Sequence, residues 1–106
     1  MKKNSNYDLD EQLRNYLEQL VHPKSYVQVM AALDVRPMRH LTQALERLMH
    51  EDCAKQRPLI SAMVTAKQQN IPAQGFFDLA HDLGFDVTNK SAFHQSQLKA
   101  LEIIRI

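Results

Sequence analysis

The chain has 106 residues, of which 44% are hydrophobic and 24% charged, as in an ordinary globular domain. Its 13 basic and 12 acidic residues leave a net charge of +1, which argues against a protein that binds nucleic acid or membranes through charge alone. No stretch approaches the ~20 apolar residues that a membrane helix needs. Cys53 is a single cysteine, so we expect no intrachain disulfide and a reducing, cytoplasmic setting.

The length corresponds to one domain. Residues 1–7 begin with a polar run that has little apolar surface to bury, so we expect a flexible amino-terminal tail there. Residues 8–106 are expected to form a single globular domain.

The first half of the chain predicts three helices. Apolar residues recur every three or four positions over residues 8–21, as on the buried face of a first helix. Ser25 is a favourable cap for a short second helix that ends near residue 33. A tight turn at residues 34–36 leads to a third helix over residues 37–55, with proline in its first turn.

The hydrophobic period changes in the second half. Residues 59–66 alternate in a way that predicts a strand covered on both faces, and we expect it to pair with residues 70–76 in a hairpin or with another chain. A short helix over residues 75–83 should end at Gly84 in a left-handed conformation, and a last helix should start near Ser91. The order predicts a mostly α domain with a small β element (α+β), arranged like a helix–turn–helix or winged helix.

The second helix, the turn and the third helix form the first candidate site. Arginine can form paired hydrogen bonds with guanine and glutamine with adenine, so an outward face of this kind could read DNA. Glu46 would repel phosphate, however, and an ordinary helical hairpin with a solvated polar side is the alternative interpretation. The residues that we expect on this nucleic-acid-binding face are Arg36, Arg39, Thr42, Gln43 and Arg47.

The second candidate site is the junction between the predicted strand and the helix that follows it. Gly75 permits a close approach of the backbone, and the free N–H groups at the start of the next helix could bind an anion. The alternative is a structural turn in which Phe76 and Phe77 fill the core. The ligand or interface residues proposed at this junction are Lys67, Gln74, Gly75 and Phe76.

Catalysis and metal binding have little support in the sequence. Cys53 lies on the apolar side of the third helix, where cysteine is more often a small core residue than a nucleophile. His50 with Cys53, or Asp78 with Asp82, supplies at most half of a metal site. We therefore expect no catalytic residue, no metal and no cofactor.

Two runs of residues carry a resemblance to a known group of proteins. The chain is similar to small, single-domain bacterial proteins of uncharacterised function that share a Pro-Leu-x-Ser-Ala-x-Val run and a Pro-x-x-Gly-Phe-Phe-x-Leu-Ala-x-x-Leu-Gly run. The resemblance implies a bacterial or phage-borne cytoplasmic protein and carries no activity or ligand. The matching residues are Pro58, Leu59, Ser61, Ala62, Val64, Pro72, Gly75, Phe76, Phe77, Leu79, Ala80, Leu83 and Gly84.

These observations favour a non-enzymatic binding module whose partner is a protein or a second copy of the chain, as in a homodimer. The balanced charge and a strand without an obvious partner support that interpretation. One alternative is a sequence-specific DNA-binding regulator that uses the third helix. Another is an enzyme or receptor for a small ligand or phosphate at the junction of residues 67–77.

Overall fold

The computed structural model describes residues 5–104, with side chains described for residues 8–102. It confirms a mostly helical α+β domain with a small β element. The expected tail lies partly outside the described residues, and the first helix begins at Ser5, earlier than expected. In chain order the elements are α1 (Ser5–Glu18), β1 (Lys24–Ser25), α2 (Tyr26–Leu33), α3 (Met38–Ala54), a 3₁₀ turn (Ile60–Met63), β2 (Val64–Thr65), α4 (Gln74–Asp82) and α5 (Lys90–Ile104).

Helices α1 and α3 pack against each other and form one side of the core. The apolar spacing of α1 places Leu13 and Leu17 on one face, and both are fully buried. Leu41 and Leu48 supply the same kind of face on α3. This packing fixes the orientation of α3, so the polar side of that helix faces away from the core.

Helix α2 is closed at both ends by local hydrogen bonds. The Ser25 hydroxyl accepts from the Gln28 N–H while the Gln28 side chain accepts from the Ser25 N–H, which confirms the predicted cap as a capping box. Asp34 ends the helix with φ of 54°, and buried Val35 donates its N–H to the Met30 carbonyl. The chain therefore turns sharply into α3, and Pro37 stands just before that helix instead of inside its first turn.

The predicted strand over residues 59–66 is wrong in most of its length. Residues 60–63 form a 3₁₀ turn, and β2 contains Val64 and Thr65 alone. Its partner within the chain is not a hairpin strand: β1 pairs with β2 in parallel, with Lys24 opposite Val64. A short run of mostly apolar residues is compatible with a covered strand and also with a fully buried turn. The sequence pattern alone therefore does not distinguish the two structures.

Burial of this segment agrees with the expectation that it is covered on both faces. Every residue from 59 to 65 is buried, so the segment runs through the centre of the domain. A buried irregular segment must find hydrogen-bond partners for its backbone groups. Side chains supply several of them: Gln97 accepts from the Leu59 N–H, Asp52 accepts from the Ile60 N–H, and the His94 ring lies 2.9 Å from the Ala62 carbonyl.

Helices α4 and α5 close the other side of the core with aromatic contacts. Phe76 and Phe77 meet edge to face at 5.2 Å between ring centroids, and Phe93 of α5 contacts both rings. The prediction that the phenylalanine pair fills the core is confirmed. Gly84 follows α4 with φ of 102°, the left-handed conformation that was expected for it.

Candidate functional site

The amino-terminal half of α3 and the turn before it carry an exposed polar surface, here called the α3 surface. It consists of Arg36, Arg39, His40 and Gln43, all of them exposed. The N–H groups at the start of a helix and the positive end of its dipole favour a negatively charged partner at this location. Helix–turn–helix proteins contact base edges with this same part of their second helix.

Two of the residues predicted for a DNA-reading face have other contacts. The Arg47 guanidinium forms a two-pronged hydrogen bond with the Asp10 carboxylate of α1, at 2.8 and 2.9 Å, so it does not project outward as expected. This hydrogen bond raises the pKa of Arg47. Thr42 is half-buried and donates its hydroxyl to the Arg39 carbonyl. Arg36, Arg39 and Gln43 remain available at the surface.

The acidic residues of α3 lie in its carboxyl-terminal half. Asp52 is buried and Glu51 is exposed, and both contact the Arg14 guanidinium at 2.8 Å. Arg57 adds a second ion pair to Asp52 at 3.0 Å. Their charges are therefore compensated by cations away from the α3 surface. Glu46 is exposed nearer to the middle of the helix.

Asp34 is the carboxylate closest in sequence to the α3 surface. It lies 3.5 Å from the Arg36 guanidinium, and both side chains are largely exposed. An exposed pair of this kind is worth little, so a phosphate could compete for Arg36 at small cost.

The junction predicted as a ligand site is divided between solvent and the protein interior. Lys67 is exposed. Gln74 is exposed and hydrogen bonds to Asp78 on its own helix and to the Lys90 ammonium. These two side chains do not converge with Gly75 and Phe76 on one cavity, whereas the backbone at Gly75 and the ring of Phe76 do line one.

This cavity, here called the Tyr26 cavity, lies between α2, α3 and the start of α4. Its volume is about 260 Å³. The Tyr26 hydroxyl accepts a hydrogen bond from the Ala73 N–H at 2.9 Å, which joins α2 to the segment that begins α4. Burial raises the pKa of Tyr26, so its phenol keeps its proton near neutral pH. The lining residues are Tyr26, Thr42, Leu45, Glu46, Met49, Ser61, Ala73, Gly75 and Phe76.

Sequence reasoning missed the polar residues that fix the central segment. Asp52 lies within the apolar stripe of α3 and is fully buried, although the stripe was extended to Cys53, which is half-buried. His94 is buried on α5, and burial lowers its pKa because the charged ring would be desolvated. The signal for Asp52 was its position in register with Leu41, Leu45 and Leu48, where a carboxylate requires a buried partner.

A larger groove lies between α5 and the loop after α1. It has a volume of about 680 Å³ and is lined in part by Val21, Met63 and Leu98. Val21 is 80% exposed, which is unusual for an aliphatic side chain of this size.

Within residues 5–104, no helix is long and apolar enough to cross a lipid bilayer. The same residues contain no cluster of three or more histidine, cysteine or carboxylate side chains able to hold a metal ion. The chain matches no protein-family model, no curated protein and no solved structure.

Proposed function

We propose that this chain is a non-enzymatic binding domain that binds duplex DNA through the α3 surface. The observation that carries the proposal is the distribution of charge along α3: the exposed arginines stand at its amino-terminal end, and its acidic residues stand further along. A reading helix inserts its first turns into the major groove, so the acidic half would remain outside the closest approach.

The balanced net charge of the chain is compatible with DNA binding if positive charge is concentrated at the start of α3. A net charge of +1 gives little long-range attraction to DNA. Local pairing of Arg14 and Arg57 with acidic residues, however, removes those cations and anions together from the balance. Near the start of α3, Arg36 and Arg39 outnumber the one nearby carboxylate, Asp34, so this surface is locally basic. We expect modest affinity with a small salt dependence, because few phosphates would be contacted.

Arg39 and Gln43 are the residues that would contact base edges. They are exposed and lie about one helical turn apart on α3. Arg36, in the turn before the helix, is placed to contact a phosphate instead. Removing a base contact should reduce sequence preference, whereas removing a phosphate contact should weaken binding to all sequences to a similar extent.

Fluorescence anisotropy at low salt with a randomised pool of short duplexes, followed by selection, tests the proposal. Arg39→Ala should weaken binding to the selected duplex by about 1–3 kcal/mol. Lys99→Ala is the matched control, because it removes one exposed positive charge from α5. If the parent protein does not bind DNA at low salt, or if both variants lose affinity equally, DNA reading by α3 is wrong.

A protein partner is the second candidate, and one observation favours it. Val27 of α2 is 62% exposed and Met38, next to the arginines of the α3 surface, is 43% exposed. Methionine and arginine are both enriched in protein interfaces. Light scattering over a range of concentrations, with Met38→Glu for comparison, tests self-association: a dimer that Met38→Glu dissociates supports it, and a monomeric parent protein at every concentration contradicts it.

A further inference from the structure

The Tyr26 cavity combines an apolar wall with polar groups that can form further hydrogen bonds. The side chains of Leu45, Met49 and Phe76 line it together with the ring of Tyr26. Flat aromatic rings and a polarisable thioether are suited to contact the faces of another ring. Its volume of about 260 Å³ lies below the range of about 300–1,000 Å³ that holds drug-sized ligands, so one or two fused rings would fit.

Hydrogen-bond donors are present at the α4 side of the cavity. Tyr26 uses its oxygen to accept from the Ala73 N–H, which leaves its own O–H free to donate. Ala73 provides no side-chain cap for α4, so the N–H groups of Gln74 and Gly75 lack an intrahelical acceptor, whereas the Phe76 N–H donates to the Ala73 carbonyl. A ligand carbonyl or ring nitrogen could accept from these groups.

A hydrogen-bond acceptor is present at the α3 side. Glu46 lines the cavity, and its carboxylate forms no ion pair or hydrogen bond with the side chains that the structure describes. It interacts electrostatically with the adjacent Arg47, but no lysine, arginine or histidine among the described residues lines the cavity with it. A phosphate or other anion would therefore meet a carboxylate without a compensating cation, while a cation would meet the positive end of α4.

Gly75 lies at the edge of the cavity and is exposed. A Cβ at this position would meet no atom within 4 Å, so the backbone here is not crowded by its neighbours. The site thus has aromatic walls, donors on one side and an acceptor on the other.

We propose that the Tyr26 cavity is a binding site for a small, flat, uncharged nitrogen heterocycle that carries a ring carbonyl and a ring N–H. The carbonyl accepts from the Tyr26 hydroxyl and the α4 amides, and the N–H donates to Glu46. The ring packs between Phe76 and Met49. This site lies beside the α3 surface and does not depend on DNA binding.

Amide chemical shifts measured while the protein is titrated with 2-pyridone and 2-quinolone test the proposal. We expect saturable shifts centred on Gly75, Phe76 and Met49. The N-methylated form of each probe, which cannot donate to Glu46, should bind about tenfold more weakly, the loss expected for one hydrogen bond to a charged group. Equal affinity of the parent and methylated probes, or shifts elsewhere alone, would overturn the proposal.

Variants provide a second test with the same probes. Glu46→Gln should weaken binding about tenfold, because it removes the charged acceptor of the cavity. Glu102→Gln is the control, because it removes an exposed carboxylate from α5. Equal probe affinity in these two variants contradicts the proposal, and so does an absence of shifts in the parent protein up to the solubility limit of the probes. The methylated probes decide the question if a variant does not fold.

Discussion

The Asp52 carboxylate of α3 accepts a hydrogen bond from the backbone N–H of Ile60, with 3.0 Å between Oδ2 and the nitrogen. The other carboxylate oxygen lies 2.8 Å from the Arg14 guanidinium. One buried side chain thereby joins α1, α3 and the central 3₁₀ turn. This buried charge is costly to remove, because the Ile60 N–H would be left buried without its acceptor and the Arg14 guanidinium would keep only its contact with Glu51.

Replacement of Asp52 by alanine should reduce the free energy of unfolding by about 3–5 kcal/mol. The neighbouring carboxylate offers a matched control: Glu51→Ala removes an exposed group and should cost at most about 1 kcal/mol. Urea denaturation followed by circular dichroism measures both. Similar losses for the two variants would contradict the role assigned to Asp52.

Acidification should destabilise the domain through His94. Burial lowers the pKa of this ring below its ordinary value of 6.5, so the folded protein binds its proton less readily than the unfolded chain does. The stability is complete above the unfolded pKa and falls as the pH drops from about 6.5 towards the folded pKa, by at most about 1.4 kcal/mol per pH unit.

Urea titrations at a series of pH values check the contribution of His94. The parent protein should lose stability between neutral pH and pH 5, and His94→Gln should remove most of that slope even if it lowers stability at every pH. His50→Gln, at an exposed position of α3, should keep the slope. A slope that persists in His94→Gln would assign the effect to other groups.

Alanine substitutions of Arg47 and Arg39 should differ in their effect on the free energy of unfolding. Arg47 forms its two-pronged hydrogen bond with Asp10, so Arg47→Ala should lower the free energy of unfolding by about 1–3 kcal/mol. Arg39→Ala should change it by less than about 0.5 kcal/mol, since that side chain is exposed. A double-mutant cycle of Arg47 with Asp10 should show coupling; additive effects would contradict the pairing.

The two glycines should respond in opposite directions to the same substitution. Gly75 lies in α4 with free space for a Cβ, so Gly75→Ala should stabilise the domain by about 0.5–1 kcal/mol through helix propensity. Gly84 has φ of 102°, which alanine adopts only with strain, so Gly84→Ala should destabilise by about 1–3 kcal/mol. Thermal unfolding distinguishes the two outcomes, and a shift of the same sign for both would refute the interpretation.

Local features explain which parts of the fold could be predicted from the sequence. The cap at Ser25, the stop at Gly84 and the buried phenylalanine pair depend on residues close together in the chain, and all three are confirmed. The pairing of Lys24 with Val64 depends on tertiary packing of α1, α2 and α3, which leaves no local signature. The strand prediction was wrong because residues 60–63 form a fully buried 3₁₀ turn, and a short apolar run does not distinguish such a turn from a covered strand.

The candidate site was predictable to a smaller extent. Exposure of Arg39 and Gln43 follows from helical spacing, because they oppose the apolar stripe of α3, and Arg36 is exposed in the turn before that helix. The position of Arg47 was not predictable, since its partner Asp10 lies on another helix. The Tyr26 cavity has walls from four segments: α2, α3, the 3₁₀ turn and the start of α4. The junction motif indicated Gly75 and Phe76 but gave no sign of Tyr26, which lies far away in the sequence.

The central segment has a consequence for how the chain unfolds. The Ile60 N–H donates to Asp52 and the Ser61 hydroxyl donates to the Leu45 carbonyl, so each half of the chain contains groups whose partners lie in the other half. We therefore expect that neither half folds alone and that loss of either releases the whole structure in one cooperative step. A cut in the exposed stretch at Gln56 would then yield two fragments that are unstructured when separate and regain the fold only when combined.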